Sequence, residues 1–313
     1  MPIKHNYTAT GTNDGAKQVS VDRWNADHVI TTELDIPVLG SDPAPPADGY
    51  CNFYAKKIGG RTMLMQMGPS GLETAFQPNL GGNKVALWMP PGGSTTAPGV
   101  FGMAALTALG TATSRAVATT NMLTRMTRLG YVSSATAGNL TGVREPVAKY
   151  TLGAGGGLGG FFYRSRFGVS DAAAVSGARM FIGLAASTGA PTNVEPNTLV
   201  NAFGLVQLAA STNLQLYCAG AVAGTNLIDL GSSFPSVSGS LNVYELCLFS
   251  APSSGNLSYK VTRLNTGHVA EGTISTGLPT SNTLLCHQLW RTNNATALAV
   301  GLDICGIYME TDY

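Results

Sequence analysis

The chain has 313 residues, which is long enough for one large domain and a smaller appendage. Only 11% of the residues are charged while glycine fills 39 positions, a composition typical of short strands joined by many turns. The formal net charge of +1 gives no electrostatic basis for binding nucleic acid or an anionic membrane surface.

The sequence predicts no membrane insertion, no cofactor and no metal site. The most apolar uncharged stretch, residues 100–114, is too short for a bilayer, which needs about twenty residues. The polar N-terminus lacks the apolar core of a secretory signal, so we expect none. The five cysteines form no CxxC pair, which favours free buried thiols. A turn cluster separates His268 from His287, so ordinary hydrogen-bonded histidines are favoured over metal ligands.

The first predicted segment, residues 1–35, contains the motif VSVDRWNADHVI. A short helix there would place Trp24 and His28 on one face. One histidine beside one carboxylate, Asp27, does not make a catalytic or metal site. We therefore interpret the motif as an amphipathic anchoring turn whose Trp24 fills a pocket on a neighbouring protein.

Residues 36–90 are predicted to form a proline-rich strut followed by a β-hairpin. Four prolines between Ile36 and Gly49 favour extended and turn conformations. Two apolar strand patterns then flank the pair Gly59-Gly60, which predicts a hairpin turn. A hairpin of this size buries too little apolar surface to be stable alone. We expect it to pack on partner chains, and folding back on its own sandwich is the alternative.

Residues 91–313 are predicted to form an antiparallel β-sandwich, because short strand patterns alternate with turn signals every ten to twenty residues. Lys84–Met89 is a further candidate strand, and Asn121–Leu129 fits a short helix or an edge strand. The candidate strands of the sandwich are Phe161–Phe167, Arg179–Leu184, Phe203–Leu208, Leu214–Cys218, Leu227–Leu230, Leu241–Phe249, Leu257–Leu264, Leu284–Trp290 and Ala297–Met309.

Catalysis is not predicted from these residues. Glycan cleavage requires two facing carboxylates about 5 to 10 Å apart, whereas Glu245 and Asp303 each stand alone in an apolar strand. The glycine-rich run at residues 153–160 contains GxGxxG. A strand follows it rather than a strand–helix unit, so a turning loop is favoured over a nucleotide site.

The candidate binding residues are Trp290, Arg291, Asn293 and Asn294. Sugar recognition combines a stacked aromatic ring with hydrogen bonds from Asn, Asp or Arg side chains. This is the only place in the sequence where Trp, Arg and paired Asn coincide. The alternative is structural: Trp290 belongs to the core, and the two asparagines form a turn.

Several motifs together resemble those of tailed-phage virion structural proteins. The block SDPAPPADGYCNFYAKKIGGRTMLMQMGPSGLETAFQP resembles the linker hairpin of tail fibres, with Gly49, Tyr54, Lys56 and Gly60 at the matching positions. The motif RWNADHV is similar to the start of phage proteins that attach to the particle through their first residues. Downstream, GLGGFFYRSRFG, MFIGL and LWRTNNATALAVGLDICGIYMETDY look like the C-terminal lectin-like sandwich of the same group.

The resemblance implies a non-enzymatic, homotrimeric tail or head fibre, in which Trp24, Asn25, Asp27 and His28 attach the chain to other virion proteins. It implies an all-β fold with a jelly-roll or lectin-like sandwich that binds a glycan or protein of the host surface. The location would be the virion, assembled in the host cytoplasm. A capsid decoration protein that stabilises the head and a glycan-degrading tailspike are the alternatives.

Overall fold

The computed structural model describes residues 35–71, 73–76, 84–95, 100–154, 159–236, 242–252 and 254–311. Trp24, Asn25, Asp27 and His28 lie outside the described residues, so their predicted attachment role stays a prediction. The described chain forms two compact units. The smaller falls within residues 35–56 and 64–75, and the larger within residues 57–63 and 76–311. The predicted boundaries after residues 35 and 90 likewise stay a prediction.

The predicted hairpin is present as two strands of a three-stranded sheet. In this sheet β2 lies between β1 and β3, and the stem of the hairpin belongs to the smaller unit. The proline-rich segment lies along β1: Val38 forms a parallel bridge with Ala55, and Asn52 Nδ2 donates to the Ala44 carbonyl at 3.0 Å. The strands are β1 (Asn52–Ile58), β2 (Arg61–Met67) and β3 (Glu73–Ala75).

The larger unit is a β-sandwich of two antiparallel sheets, which confirms the predicted fold class. The seven-stranded sheet has the order β13-β12-β11-β10-β17-β8-β5. The eight-stranded sheet has the order β16-β15-β14-β9-β18-β7-β6, with β4 also paired to β18. The strands are β4 (Lys84–Trp88), β5 (Thr107–Leu109), β6 (Thr111–Ser114), β7 (Leu129–Val132), β8 (Leu140–Arg144), β9 (Phe161–Val169), β10 (Arg179–Ala185), β11 (Ala202–Gln207), β12 (Gln215–Ala219), β13 (Asn226–Asp229), β14 (Tyr244–Ser250), β15 (Leu257–Arg263), β16 (His268–Ile274), β17 (Cys286–Thr292) and β18 (Gly301–Thr311).

The described helical structure is short. Helix α1 (Met122–Arg125) begins after Asn121, whose side chain accepts from the Thr124 amide in a capping box. One 3-10 turn spans Pro196–Thr198. Within the described ranges, no helix has the length and apolar character needed to cross a membrane.

The core lies between the two sheets, where alternating side chains from each sheet meet. Phe161 of β9 stacks on Phe203 of β11 with 5.7 Å between the ring centroids, so the two sheets contact each other directly. A second apolar cluster, built from Phe181, Tyr217, Trp290 and small neighbours, covers the opposite face of the seven-stranded sheet. Strands β10 and β17 are therefore buried on both faces, and the sequence of β10, RMFIGLA, is accordingly apolar throughout after Arg179.

The tip of the hairpin, residues 57–63, belongs to the larger unit and packs on the eight-stranded sheet. The Arg61 guanidinium pairs with both carboxylate oxygens of Glu310 and lies 5.4 Å from the ring centroid of Phe162. A Cβ atom on Gly60 would lie 2.3 Å from Ser258 Cβ, so only glycine allows this close approach. The tip thus contacts the sandwich of its own chain, as in the alternative considered from the sequence. Packing on sister chains stays a prediction.

Candidate functional site

Trp290, the aromatic residue of the predicted binding site, lies inside the fold. It pairs across β17 with Phe181 on one side and Gly142 on the other. Its side chain is fully buried and stacks on Phe181 at 6.1 Å. A Cβ on Gly142 would lie 2.9 Å from the Trp290 Cα, so this glycine permits the close packing of β8 against β17. Trp290 occupies a core position, as in the structural alternative.

Arg291 points to the opposite face of β17 and is also fully buried. Its Nε atom donates to Asp171 Oδ1 at 3.0 Å, and its Nη1 atom donates to Gln207 Oε1 at 2.5 Å. Asp171 Oδ1 also accepts from the Gly301 amide at 2.8 Å. This buried ion pair joins β17, the chain after β9 and the start of β18. The positive charge of Arg291 is therefore compensated by Asp171 within the protein.

Asn293 and Asn294 organise the loops at the end of β17. Asn293 Nδ2 donates to the carbonyl oxygens of Thr136 at 2.8 Å and Leu298 at 2.9 Å, and its Oδ1 accepts from the Asn139 amide at 3.0 Å. Asn294 has a φ of 52°, a left-handed conformation that asparagine tolerates in turns. Of the four candidate residues only Asn294 is partly exposed. Their binding role stays a prediction, and the structure gives each of them an internal role.

The carboxylates considered for catalysis are paired with arginines. The Asp303 carboxylate accepts hydrogen bonds from Arg128 Nε at 2.9 Å and from Arg115 Nε at 3.0 Å. Glu245 accepts from Arg164 at 2.6 Å and from Arg166. Burial alone would raise the pKa of Glu245, but the charges of the two arginines outweigh it and lower the pKa below its usual value. In the described part of the chain, no group of three or more His, Cys, Asp or Glu side chains could hold a metal ion.

The sequence could not reveal these ion pairs because their partners are far apart along the chain. Asp171 lies 120 residues before Arg291, and Arg115 lies 188 residues before Asp303. No local pattern connects such residues. A lone carboxylate on an apolar strand, such as Glu245, needs a partner or solvent, but the sequence does not indicate which residues provide that partner.

The smaller unit exposes a set of large apolar side chains, which we call the exposed apolar set. Among its described residues, only four apolar ones are buried, namely Tyr54, Ala55, Met65 and Met67. The set comprises Val38 (45% exposed), Leu39 (43%), Tyr50 (72%), Phe53 (57%) and Leu64 (39%). The hairpin pattern predicts that Phe53, Met63 and Met65 pack against sister chains, but Met65 is buried within the single chain.

One half-buried ammonium group joins the proline-rich segment and β3 to the hairpin stem. Lys56 Nζ donates to Asp42 at 2.7 Å and to Glu73 at 2.8 Å. Burial alone would lower the pKa of Lys56, but the hydrogen bonds to the two carboxylates outweigh it and raise the pKa. The exposed apolar set therefore lies on a unit whose segments are joined by the ion pairs of Lys56 with Asp42 and Glu73.

No protein-family model matches the chain, and no curated protein matches it. Several solved structures are similar in fold. A protein of unknown function from Shewanella oneidensis MR-1 is 15% identical, covers 74% of this chain and 87% of its own, and has a TM-score of 0.48. Arcelin-5, a lectin-like defence protein from Phaseolus vulgaris, is 8% identical over 74% of this chain and 99% of its own, with a TM-score of 0.47.

Winged bean acidic lectin, solved with methyl-α-D-galactose, is 10% identical and covers 74% of this chain and 98% of its own chain, with a TM-score of 0.44. At these identities and scores, the likeness carries no argument about ligand or activity. The chain is an all-β protein whose larger unit is an antiparallel β-sandwich.

Proposed function

We propose that this protein is a non-enzymatic structural component of a tailed-phage particle, acting as a trimeric tail or head fibre. In this role the smaller unit assembles with its copies, and the sandwich is displayed for binding to the host surface. Several copies would add avidity to weak single sites. Other virion proteins would hold the chain through residues 1–35.

The exposed apolar set is the observation that carries the proposal. Exposed apolar surface concentrated on one part of a protein often marks an interaction site. In its described part, the smaller unit leaves five large apolar residues exposed while burying four apolar residues. Burying an exposed leucine, valine or aromatic side chain contributes about 1.5 to 3 kcal/mol. Association with copies would therefore stabilise a unit that has little core of its own.

The resemblance of the linker block to tail-fibre proteins supports the choice of copies of this chain as the partner. A closed homotrimer repeats the same contact three times and leaves no unsatisfied copy of the surface. The pairing of Asp171, Glu245 and Asp303 with arginines supports a non-enzymatic role, because a paired carboxylate is a poor general acid or base.

The oligomeric state of the full-length protein tests the assembly. We expect light scattering to give three times the chain mass of 32.3 kDa. The combined changes Leu39→Ser, Tyr50→Ser and Leu64→Ser should shift the protein to monomers by removing apolar contact area. The control is Val222→Ser, Val269→Ser and Leu284→Ser, which alters three exposed apolar residues on the sandwich and should leave the trimer intact. A wild-type monomer at all concentrations, or a trimer that survives the first set, would overturn the proposed assembly.

The location on the particle tests the biological role. An antibody against the sandwich, labelled with gold, should mark fibres on phage particles in electron micrographs, and deletion of the gene should abolish adsorption while heads stay intact. Label over the capsid, together with fragile heads in the deletion mutant, would contradict the fibre role and favour a decoration protein. Release of reducing ends from host polysaccharide by the purified protein would contradict the non-enzymatic role and favour a glycan-degrading tailspike. Particles without label would contradict a virion protein altogether.

A further inference from the structure

A cluster of buried polar side chains lies between the two sheets, around His287 of β17. The His287 ring is fully buried and lies 5.0 Å from the ring of Tyr150 and 5.3 Å from the ring of Tyr163, measured between centroids. Ser165 follows Tyr163 two residues later on the same face of β9, and Glu145 comes directly after β8. Three segments of the sandwich, namely β9, β17 and the chain after β8, thus bring polar groups to one internal place.

Six polar atoms of this cluster have no hydrogen-bond partner among the described residues. They are both ring nitrogens of His287, Glu145 Oε2 and the hydroxyl oxygens of Tyr150, Tyr163 and Ser165. Glu145 Oε2 is 3.6 Å from His287 Nε2, which is beyond the range of a good hydrogen bond. Buried polar groups are nearly always paired, because an unmade hydrogen bond carries the full desolvation penalty. Something must therefore pair with these atoms.

Direct contacts among the side chains cannot satisfy the whole cluster. The hydroxyls of Tyr163 and Ser165 are close enough to pair with each other, but this pairing leaves the Tyr150 hydroxyl and the ring nitrogens of His287 without a partner among the described residues. A small shift of His287 would close the gap to Glu145, but it would use only one ring nitrogen. A neutral imidazole has one donor and one acceptor, each hydroxyl can do both, and a carboxylate oxygen only accepts. A water molecule donates two hydrogen bonds and accepts two, so it fits such a mixed set of donors and acceptors.

Lys149 positions the carboxylate of this cluster. Its ammonium group donates to Glu145 Oε1 at 2.8 Å, and the amide of Ala104 donates to the same oxygen at 3.0 Å. The charge of Glu145 is thereby compensated from the surface side, where Lys149 is partly exposed. Oε2 is left to face His287.

We propose that the sandwich core contains a specific internal water site at His287. In this site one or more ordered water molecules bridge His287 and Glu145 Oε2 to the hydroxyls of Tyr150, Tyr163 and Ser165. Water is the ligand class that matches neutral donors and acceptors around one already compensated carboxylate. The inference is independent of the proposed function, because it concerns how the two sheets are joined.

A crystal structure of the full-length protein tests the site directly. We expect water density within hydrogen-bond distance of His287 and of at least one of the tyrosine hydroxyls. An imidazole that donates directly to Glu145, with no water density near either tyrosine hydroxyl, would overturn the inference.

Water ¹⁷O relaxation dispersion, which counts long-lived internal water molecules, tests the same point in solution. The count should fall in His287→Leu. It should stay at the wild-type value in Tyr244→Phe, because the Tyr244 hydroxyl already donates to the Pro235 carbonyl at 2.5 Å. An equal count in His287→Leu and in the wild type would contradict the site. If His287→Leu does not fold, Tyr163→Phe provides the comparison: its crystal structure should show the site water displaced or lost, and an unchanged water would count against the proposed bridge.

Discussion

Arg291 carries a full positive charge into the interior of the sandwich, where Asp171 and Gln207 bind it. Removing one partner of a buried ion pair leaves an uncompensated charge, which typically costs about 3 to 5 kcal/mol. We expect Arg291→Met to lower the free energy of unfolding by this amount, as measured by urea denaturation.

Arg164→Met is the matched control for that change. It makes the same Arg-to-Met change on a strand. The Arg164 side chain, however, is 39% exposed, and Glu245 keeps Arg166 as a partner. Exposed ion pairs contribute about 1 kcal/mol or less, so we expect a small loss. Equal losses in the two variants would show that the Arg291 pair contributes no more than a surface contact.

His287 should make the protein less stable as the pH falls. Burial, followed by the charge of Lys149, lowers the pKa of His287 to about 3, whereas an unfolded histidine has a pKa of about 6.5. The unfolded chain therefore binds a proton below about pH 6.5 while the folded protein does not. Stability contributed by neutral His287 is complete above this pH and falls by about 1.4 kcal/mol per pH unit below it.

Unfolding free energies at pH 7 and pH 5 test this dependence. This window avoids most carboxylate titration, and the groups that face His287 are Glu145, Lys149, Tyr150 and Tyr163. We expect the wild type to lose about 2 kcal/mol, and His287→Leu to lose correspondingly less. The control His268→Gln changes an exposed histidine and should keep the full loss. A His287→Leu variant with the same pH dependence as the wild type would contradict the prediction.

At the scale of elements, the turn between β1 and β2 depends on two glycines. Gly60 has a φ of 84°, a conformation that costs about 1 kcal/mol or more for other residues. A Cβ there would also collide with Ser258 on β15. We expect Gly60→Ala to lose clearly more stability than Gly231→Ala, because Gly231 has a φ of 80° but open space around it.

A double-mutant cycle separates collision from strain at this turn. Ser258→Gly removes the atoms that the new methyl group would meet, so the Gly60→Ala and Ser258→Gly double variant should recover the part of the loss caused by the collision. Denaturant unfolding measures all four proteins. Simple additivity of the two changes would argue against the contact between the tip and β15.

The elements of the sandwich differ in how well their sequences predicted them. Strands such as β9, β10 and β14 were predicted because long runs of apolar and aromatic residues favour strands. Strands β5, β6 and β8 were missed because they are short, contain threonine, glycine and alanine, and form only through pairing with neighbours. At Asn121–Leu129 the helix alternative is confirmed, since the capping box of Asn121 begins α1. The edge-strand alternative is not, because β7 shares only Leu129 with this range and pairs with both β18 and β6.

At the scale of the whole molecule, the sequence predicted the fold class but not the internal contacts of the candidate site. Composition and turn spacing are properties of the whole chain, so they indicate an antiparallel sandwich without knowledge of any contact. The environment of Trp290 and Arg291 depends on residues far away in sequence, such as Phe181, Asp171 and Gln207. A motif of Trp, Arg and Asn therefore could not distinguish a ligand-binding loop from a buried strand end.

The position of β18 in the sheet has a consequence for biosynthesis. This strand, Gly301–Thr311, lies in the middle of the eight-stranded sheet and pairs with β4, β7 and β9. During translation, β18 is synthesised after every other described strand. Until then the eight-stranded sheet lacks the strand that joins β9 to β7. Until translation passes residue 311, the nascent chain exposes apolar edges that chaperones would have to shield.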